Sequence, residues 1–456
     1  MEIPRSVEYI LNHLEYNGYN AYLVGGSTRD IFNYKNPKDY DICSNATPEQ
    51  VKKLFNKVIL TGERHGTVTI VLNNEHYEIT TLRKDGIYKD NRNPEEVYFT
   101  NDLKEDVSRR DFTMNSICID VNRNVYDYYG GIKDIENKII RCVGNPDQRF
   151  NEDALRLMRT IRLSAQHDFD IEENTLQAII KNAYLIQMIS KERIRDELCK
   201  ILLSDYPGYG IEMLERTGLL QYIIPELCEC VGFEQCNPNH DKDVFEHTLS
   251  VLNNTPKILN VRLGALLHDV AKPKCFTLDE DNIGHFYYHH IEGEKLTEKI
   301  LSRLKFDNKT INDVKILVRE HMFNFNENSK IKTSIIKKFI NRVGIDNLEN
   351  LYCLRVADIK GSKNKDQSKI DNVTFLISEC HKIIAEKQPL TVKDLAINGN
   401  DLMELGIKQG VKMGQILNNL LEKVLENPEL NDKEVLLNMI RKEWFYGTNC
   451  ILSKMW

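Results

Sequence analysis

Two aspartates separated by one residue are the first side chains in the sequence that could carry out catalysis. Asp39 and Asp41 lie in the run Lys-Asp-Tyr-Asp-Ile at residues 38–42, and on a β-strand residues i and i+2 point to the same face. Two carboxylates held this close repel each other unless a cation lies between them, which indicates bound divalent metal ions. An isolated Asp-x-Asp pair is more often part of a solvated edge strand. Other segments of the sequence must therefore show whether this pair binds metal ions.

Two further segments supply partners for this pair. The run Leu-Val-Gly-Gly-Ser-Thr-Arg-Asp at residues 23–30 predicts a strand that enters a Gly-Gly turn and then a helix. Backbone N–H groups in such a turn can hold phosphate, and Arg29 adds a fixed positive charge. Glu78 lies in the alternating run Tyr-Glu-Ile-Thr at residues 77–80, which makes it a candidate third carboxylate.

A second pair of polar residues lies further along the chain. Asp153 and Arg156 are three residues apart, a spacing that places two side chains on one face of a helix. An aspartate accepts from an exocyclic amine and an arginine donates to ring acceptors, so the two could match the edge of cytosine or adenine. The alternative is an i,i+3 salt bridge on a solvated helix, which contributes little stability.

The type of secondary structure that positions these residues changes near residue 140. After it the apolar spacing is helical almost to the end; Leu155, Met158 and Ile161 are an example, with Asn151 as the predicted N-cap. The sequence predicts an α+β fold, with a small mixed β-sheet head followed by an elongated all-helical body. The head contains short runs rich in β-forming residues: Ala21–Val24, Val68–Leu72, Tyr77–Leu82, Val97–Thr100, Ile117–Val121 and Val125–Tyr128.

Composition excludes several classes of protein. The chain has 456 residues, with 61 Lys and Arg against 68 Asp and Glu, and the net charge of −7 excludes a uniformly basic nucleic-acid coat. No uncharged apolar run reaches the ~18 residues of a membrane span, and the N-terminus has no apolar stretch typical of a secretory signal. The 11 scattered cysteines predict no disulfide framework. We expect a soluble, cytoplasmic protein without a membrane partner.

The glycine turn, the Asp-x-Asp pair and the later strand acid, in this order, resemble the polymerase-β-like nucleotidyltransferase superfamily. Arg109–Ile117 is similar to the Arg-Arg-Asp-Phe-Thr block of the class II, bacterial-type tRNA nucleotidyltransferases, the CCA-adding enzymes. Arg149–Arg156 resembles the Glu-Asp-x-x-Arg block of that family, and Glu192–Leu198 resembles its later helix-bracing block. The resemblance covers roughly the whole chain.

This resemblance implies template-independent addition of C, C and A to the 3′ end of tRNA, from CTP and ATP. It implies Mg²⁺ held by Asp39 and Asp41, with Glu78 as the third catalytic carboxylate. In the family the Arg-Arg-Asp-Phe-Thr block binds the nucleotide sugar, and the Asp153 and Arg156 positions stand in for a template strand. The predicted nucleotide-binding residues are Gly25, Gly26, Ser27, Arg29, Arg110, Asp111, Asn115, Asp153, Arg156 and Arg159.

Histidines and aspartates in the body follow the order of the HD phosphohydrolase superfamily. His268 and Asp269 are adjacent in an apolar run, and imidazole with carboxylate suits a divalent transition metal such as Ni²⁺, Mn²⁺, Co²⁺ or Zn²⁺. A single histidine can also occupy a core or surface position without binding a metal, and this alternative stays open above all for His289. The resemblance implies a metal site formed by His247, His268, Asp269 and Asp358. We expect His290 and His321 to line the same cavity, for phosphate or a second ion.

Two segments bear on which nucleotides are added. Residues 83–94 resemble the loop that CCA-adding enzymes need to switch from C to A addition and that CC-adding relatives lack. Residues 62–67 look more like the CCA-adding branch than like the arginine-rich motif of bacterial poly(A) polymerases. Both observations favour full CCA addition. CC-only addition, A-only addition, poly(A) synthesis and an HD-type phosphohydrolase that acts on RNA ends or nucleotides remain alternatives.

Four domains are predicted from these patterns. Residues 1–140 form the nucleotidyltransferase head, 141–230 a helical neck that recognises the base, 231–385 the HD domain and 386–456 a tail that binds tRNA. A second tRNA-binding surface is predicted in residues 331–370, which hold nine Lys or Arg against four Asp or Glu. A solvated helix surface explains the same charges equally well.

Overall fold

The chain is described by a computed structural model, in which two compact units are present. The first unit comprises Met1–Val231 with Ile300–Phe306, and the second comprises Gly232–Lys299 with Asp307–Trp456. The predicted division into four domains stays a prediction. The residues that the structure describes are 3–62, 66–86, 96–236, 241–323, 331–363 and 366–442.

A mixed β-sheet forms the centre of the first unit. The described strands of this unit are β1 (Ala21–Val24), β2 (Asp41–Ser44), β3 (Val58–Gly62), β4 (Thr67–Leu72), β5 (Glu75–Thr81), β6 (Arg83–Asp85), β7 (Val97–Phe99), β8 (Cys118–Asp120), β9 (Val125–Tyr126), β10 (Ile139–Ile140) and β11 (Asp170–Ile171). Seven of them form one sheet in the order β3-β4-β5-β2-β1-β8-β9, in which β2 and β5 are parallel and the other neighbours antiparallel. The mixed-sheet head is therefore confirmed.

The hairpin between β4 and β5 is tighter than the predicted runs Val68–Leu72 and Tyr77–Leu82 suggest, since these runs leave four residues between them. Leu72 pairs with Glu75, so only Asn73 and Asn74 form the turn. Both asparagines have positive φ angles, 52° and 64°, as a two-residue type I′ turn requires. The sequence did not predict β3, which among the described strands pairs only with β4 and so forms an edge of the sheet. Its register shifts between Ile59 and Gly62.

Twelve helices in the described part of the chain surround this sheet or follow it in the first unit. The first helix buries Val7, Ile10, Leu11 and Leu14 in one core with apolar residues of the sheet. The helices are α1 (Arg5–Tyr16), α2 (Gly26–Phe32), α3 (Pro48–Leu54), α4 (Leu103–Ser108), α5 (Gly131–Glu136), α6 (Pro146–Glu152), α7 (Leu155–His167), α8 (Glu173–Asn182), α9 (Lys191–Leu202), α10 (Pro207–Arg216), α11 (Leu220–Ile223) and α12 (Pro225–Cys228).

The helix predicted to begin at Asn151 is in fact two helices. Helix α6 begins earlier, after Asn145, whose side chain accepts a hydrogen bond from the backbone N–H of Asp147 at 2.9 Å. Asp153 has extended backbone angles (φ −138°, ψ 102°), which end α6. Its Oδ1 accepts from the N–H of Leu155 at 3.1 Å. The predicted cap at Asn151 is wrong because Asn151 lies inside α6, and α7 begins only at Leu155.

The second unit is mostly helical, as predicted for the body. A two-stranded antiparallel sheet of β12 (Phe276–Leu278) and β13 (Gly284–Phe286) interrupts the helices. None of the described helices is both long enough and apolar enough to cross a membrane. From residue 244 onward the helices are α13 (Val244–Asn253), α14 (Leu259–Leu267), α15 (His289–Arg303), α16 (Asn308–Glu320), α17 (Thr333–Val343), α18 (Leu348–Gly361), α19 (Gln367–Ala385), α20 (Gly399–Glu404), α21 (Val411–Glu426) and α22 (Lys433–Ile440).

Gly131, at the start of α5, has no space for a side chain. A Cβ atom there would lie 2.2 Å from the backbone oxygen of Thr113 and 2.9 Å from the side chain of Ile117. Because a backbone oxygen cannot rotate away, we expect Gly131→Ala to lower the free energy of unfolding by about 2 kcal/mol. Calorimetry should record a loss of several degrees in Tm.

Gly414 in α21 provides the matched control for this substitution. A Cβ atom at Gly414 would meet open space, and alanine is the better helix former, so Gly414→Ala should keep or raise the Tm. An unchanged Tm in Gly131→Ala would contradict the close contact with Thr113.

Candidate active site and candidate metal centre

The parallel pairing of β2 with β5 brings two of the predicted carboxylates side by side. Asp41, the first residue of β2, is the register partner of Glu78 on β5. Both residues line a cavity of about 260 Å³ that is also lined by Arg109 and Arg110. The structure therefore joins a pair of acids with a pair of arginines that lie far apart in the sequence.

Asp39 lies in the bend before β2 and not on the strand. The argument that both aspartates share one strand face is wrong, because only Asp41 belongs to the strand. The two residues nevertheless line one cavity of about 350 Å³, which Gly26, Ser27 and Arg29 line as well. The bend therefore brings both aspartates to one cavity, which strand alternation was expected to do.

Gly25 is required by the geometry of the turn that faces these acids. Its φ angle is +78°, a conformation that favours glycine. A Cβ atom at this position would lie 3.0 Å from Oδ2 of Asp41. The hydroxyl of Ser27 donates to the backbone oxygen of Val24 at 3.0 Å, so this side chain holds the turn itself.

The electrostatics of Asp41 favour a bound cation. Burial and the neighbouring Asp39 raise the pKa of the Asp41 carboxyl above its ordinary value, although Arg110 and Arg29 oppose the shift. A carboxylate whose negative charge is disfavoured in this way is stabilised when a cation approaches. Donors that are all carboxylate oxygens match the preference of Mg²⁺, so the residues present fit such an ion.

Four of the predicted nucleotide-binding residues are joined in one hydrogen-bonded chain. Arg29 Nη1 donates to Asn115 Oδ1 at 3.2 Å, and Asn115 Nδ2 donates to Asp111 Oδ1 at 3.1 Å. Arg159 Nε donates to the other oxygen of Asp111 at 3.1 Å. Burial opposes the charge of Asp111, but Arg159 and Arg156 outweigh it and hold the pKa of this carboxyl below its ordinary value.

Asp106 is a central residue that the sequence interpretation missed. This buried carboxylate accepts from Arg109 Nη2 at 2.7 Å, from Arg110 Nη2 at 3.1 Å and from the backbone N–H of Arg83 at 3.1 Å. It therefore fixes both arginines and the start of the predicted loop at 83–94. The spacing of Asp106 to Arg109 and Arg110, three and four residues, is the signal that could have identified it.

Asp153 and Arg156 are held separately, and no ion pair joins them in the described chain. Arg193 Nη2 donates to Asp153 Oδ2 at 3.2 Å. Arg156 Nη1 donates to Glu152 Oε2 at 2.9 Å, and its Nη2 donates to the backbone oxygen of Arg109 at 3.0 Å. The prediction that both lie on one helix face is wrong because the helix is broken at Asp153. Their role in base recognition stays a prediction.

In the second unit, five helices bring six histidines and aspartates together. They are His247 on α13, His268 and Asp269 directly after α14, His289 at the start of α15, His321 directly after α16 and Asp358 on α18. They form two groups, in each of which one ligand atom per residue lies within 4.8 Å of the others. The groups are His247 with His268 and Asp358, and Asp269 with His289 and His321.

The predicted metal ligands lie within contact distance of one another. His247 Nε2 lies 3.2 Å from Asp358 Oδ1 and 3.4 Å from His268 Nε2. His268 Nε2 lies 3.1 Å from Asp269 Oδ2. Burial opposes the charge of Asp358, but His247, His268 and Arg355 outweigh it and hold the pKa of this carboxyl well below its ordinary value. Imidazole nitrogens with carboxylate oxygens fit a divalent transition metal.

The histidine predicted at position 290 is the wrong one. His289 lines the cavity of about 450 Å³ around this cluster, as do His321, Lys272 and Arg355, whereas His290 does not. Adjacent residues of an α-helix point about 100° apart, and it is His289 that points to this cavity. His289, for which a core or surface position had stayed open, lies with Asp269 and His321 in one of the two groups.

The basic stretch at 331–370 is partly neutralised by acids elsewhere in the second unit. Lys338 is paired with Glu422 and Glu426, and Arg342 with Glu320. Exposed lysines that remain in the described part are Lys332, Lys360, Lys363 and Lys369. Residues on which other predictions depend lie outside the described chain: 63–65 of the segment at 62–67, 87–95 of the loop, Lys365 of the basic stretch and 443–456 of the tail.

Three protein-family profiles match successive parts of the chain. Residues 21–141 match a profile described as the poly A polymerase head domain. Residues 168–230 match one described as an RNA and SrmB-binding site of polymerase A. Residues 280–440 match one described as tRNA nucleotidyltransferase domain 2.

Known proteins resemble the chain over nearly its whole length. The CCA-adding enzyme of Thermotoga maritima, solved in a complex with tRNA, covers 96% of this chain and 95% of its own at a TM-score of 0.56 and 18% identity, which shows the fold. The CCA-adding enzyme of Bacillus stearothermophilus, solved with CTP, covers 99% and 100% at a TM-score of 0.72 and 26% identity. The CCA-adding enzyme of Ligilactobacillus salivarius is 33% identical over 435 residues, 95% of each chain. The head brings acids and arginines together in one cavity, and the whole chain is similar to these enzymes. The chain therefore belongs to the family of CCA-adding enzymes.

Proposed function

We propose that this chain adds C, C and A to the 3′ end of tRNA, from CTP and ATP and without a nucleic-acid template. The observation that carries the proposal is the register pairing of Asp41 with Glu78 beside Arg110. Family membership gives the activity, and this geometry supplies acids and cations at one place for it. Relatives named as CCA-adding enzymes favour full CCA addition over CC-only, A-only or poly(A) synthesis.

Asp39, Asp41 and Glu78 would hold the divalent ions, and we propose Mg²⁺ because all donors are carboxylate oxygens. When bound, such ions neutralise the developing charge on the phosphate and orient the attacking and leaving oxygens. In the reaction the 3′-hydroxyl oxygen of tRNA forms a bond to the α-phosphorus of the nucleotide. The α–β phosphoanhydride bond breaks and releases pyrophosphate, and the hydroxyl proton passes to water.

The chain's own residues bind and orient the nucleotide. The Gly25 turn with Arg29 would accept the triphosphate, and Arg110, fixed by Asp106, would place its charge beside the reacting phosphate. The hydrogen-bonded chain from Asn115 through Asp111 to Arg159 lies next to Arg29 and suits the sugar. Asp153 and Arg156 would then select the base. The exposed lysines of 331–370 and the tail would bind tRNA phosphates.

Replacing either aspartate by asparagine should stop nucleotide addition. Asp39→Asn or Asp41→Asn removes a metal-binding charge, so incorporation of CTP and ATP into tRNA lacking its CCA end should fall more than about a hundredfold, the equivalent of about 3 kcal/mol. Binding of tRNA, measured by gel shift, should persist. Asp170→Asn, at an exposed position of β11, is the matched control. Normal turnover in Asp39→Asn would contradict the metal assignment.

Base choice should depend on Asp153 and Arg156. In Asp153→Asn and Arg156→Gln we expect discrimination of CTP and ATP against UTP and GTP to fall roughly ten- to a hundredfold, since a good bidentate base contact is worth ~1–3 kcal/mol. Single-nucleotide kcat/KM values on tRNA measure it. Arg193→Gln removes the hydrogen-bond donor to Asp153. This variant tests whether base choice depends on how the Asp153 side chain is held. Wild-type base choice in both pair variants would exclude templating.

We propose a second activity, a metal-dependent phosphohydrolase in the second unit. The specific observation is the convergence of His247, His268, Asp269 and Asp358 on one cavity. Such a donor set prefers Ni²⁺, Co²⁺, Mn²⁺ or Zn²⁺ to Mg²⁺. A metal bound there would lower the pKa of its water and so supply hydroxide at neutral pH. The expected substrates are phosphate monoesters or 2′,3′-cyclic phosphodiesters.

Asp269→Ala should remove metal and hydrolysis together. Wild-type protein should hydrolyse a 2′,3′-cyclic phosphodiester in the presence of Ni²⁺ or Mn²⁺, and the variant should not. Because Asp269 belongs to a different unit from Asp39 and Asp41, CCA addition should be retained. Metal analysis and a phosphodiester assay on both proteins decide the matter: equal metal content and equal hydrolysis would rule the activity out.

A further inference from the structure

We propose that His167 is a further nucleotide-binding residue, which donates a hydrogen bond to the pyrophosphate part of the incoming CTP or ATP. This inference rests on the proposed nucleotide addition and deepens it. His167 is the last residue of α7 and lies outside every sequence motif named above. It lines the cavity of about 350 Å³ that is also lined by Ser27, Arg29, Asp39 and Asp41.

Helix α7 carries His167 and Arg156 on the same face. The two residues are eleven positions apart in this helix, and eleven steps of about 100° complete three turns to within about 20°. At about 1.5 Å per residue they lie roughly 16 Å apart along the helix axis. Arg159, part of the chain of hydrogen bonds that suits the sugar, lies between them in the helix. An extended nucleoside triphosphate has a comparable length, so its base, sugar and terminal phosphates can follow α7 from Arg156 to His167.

The cavity beside His167 offers positive charge to an anion. Lys35 and Lys38 line it, and neither forms an ion pair with an acid in the described part of the chain. The acids of the cavity are engaged elsewhere: Asp30 pairs with Arg29 at 2.8 Å, and the other two are the aspartates proposed to bind Mg²⁺. The two lysines are therefore available to the β- and γ-phosphates of a nucleotide, which carry most of its negative charge.

The His167 ring can donate a hydrogen bond into this cavity. Burial and nearby cations lower the pKa of its imidazole to about 3, so the ring carries a single proton at neutral pH. Its Nδ1 atom is buried and has no hydrogen-bond partner among the described residues. A proton on Nδ1 would be a buried donor without an acceptor, which costs free energy. The proton therefore belongs on Nε2, through which the ring can meet a phosphate oxygen. The cations are Arg29, Lys35 and Arg162.

Packing at the end of α7 holds this ring in place. Asp168 has a left-handed φ angle of 59°, which ends the helix directly after His167. Ser164 Oγ donates to the backbone oxygen of Phe169 at 2.6 Å and so fixes the turn that follows. The buried ring of Phe169 lies against the imidazole, with 5.7 Å between the two ring centres. A side chain that is already ordered loses little conformational entropy when a ligand binds.

Kinetics of nucleotide addition to tRNA lacking its CCA end test this residue. In His167→Ala we expect the KM values for CTP and ATP to rise together by about tenfold, because a hydrogen bond to a charged group is lost. Inhibition by added pyrophosphate should weaken by a similar factor, since pyrophosphate occupies the same place. The KM for tRNA and the discrimination against UTP and GTP should stay as in the wild type, in contrast to the Asp153 and Arg156 variants.

The position of the donor is tested by two polar replacements. His167→Gln can place an amide N–H near the Nε2 position and should restore most of the affinity for CTP and pyrophosphate. His167→Asn can place one only near the Nδ1 position and should not. Gln166→Ala, one residue earlier in α7, is the matched control and should leave every constant unchanged. Circular dichroism checks folding, and His167→Leu replaces the alanine variant where that unfolds.

Three outcomes would contradict the proposal. Wild-type values of the KM for CTP and of pyrophosphate inhibition in His167→Ala would overturn the role of His167 and leave the proposed nucleotide addition intact. An equal loss of affinity for CTP and for tRNA would also overturn it, because a contact with phosphate alone cannot weaken tRNA binding. No nucleotide addition by the wild-type protein would overturn both proposals.

Discussion

Negative charges held close together are the constraint on which both units depend. In the first unit Asp41 lies beside Glu78 and Asp39, and in the second Asp269 and Asp358 share one cavity. Repulsion and lost hydration disfavour each group unless positive charge is near. Each unit supplies that charge partly from its own side chains, through arginines in the first and through lysine and arginine in the second.

The two units meet the same electrostatic problem with different donor atoms, so we expect them to prefer different kinds of ion. The head offers carboxylate oxygens, which hard ions such as Mg²⁺ prefer, whereas the body mixes imidazole nitrogens with carboxylates. The groups that fix the side chains of the two sites differ as well. Asp106 fixes the arginines of the head by hydrogen bonds, while backbone carbonyls fix the histidine rings of the body. The two proposed chemistries would therefore share no ligand.

The residue types of both sites could be predicted from the sequence, but their placement only in part. The core strands were identifiable because their apolar runs are bounded by polar turns, and the short edge strand β3 was not. The helix break at Asp153 escaped because an aspartate suits the first turn of a helix as well as a position just before one. The choice between His289 and His290 depends on where α15 begins, and sequence patterns fix helix ends poorly. Asp106 was missed because its burial arises from tertiary packing.

The parallel register of β2 and β5 limits how the length of this chain can vary. A slip of one residue between the two strands would turn Glu78 to the opposite face of the sheet and separate it from Asp41. Insertions and deletions inside either strand are therefore excluded by function even where folding would survive them. The length of the bend that carries Asp39 is constrained as strictly, and so is that of the two-residue turn at Asn73 and Asn74. Each of these segments sets the register of the strand that follows it. Variation in length must accumulate elsewhere, in loops that neither precede nor interrupt these two strands.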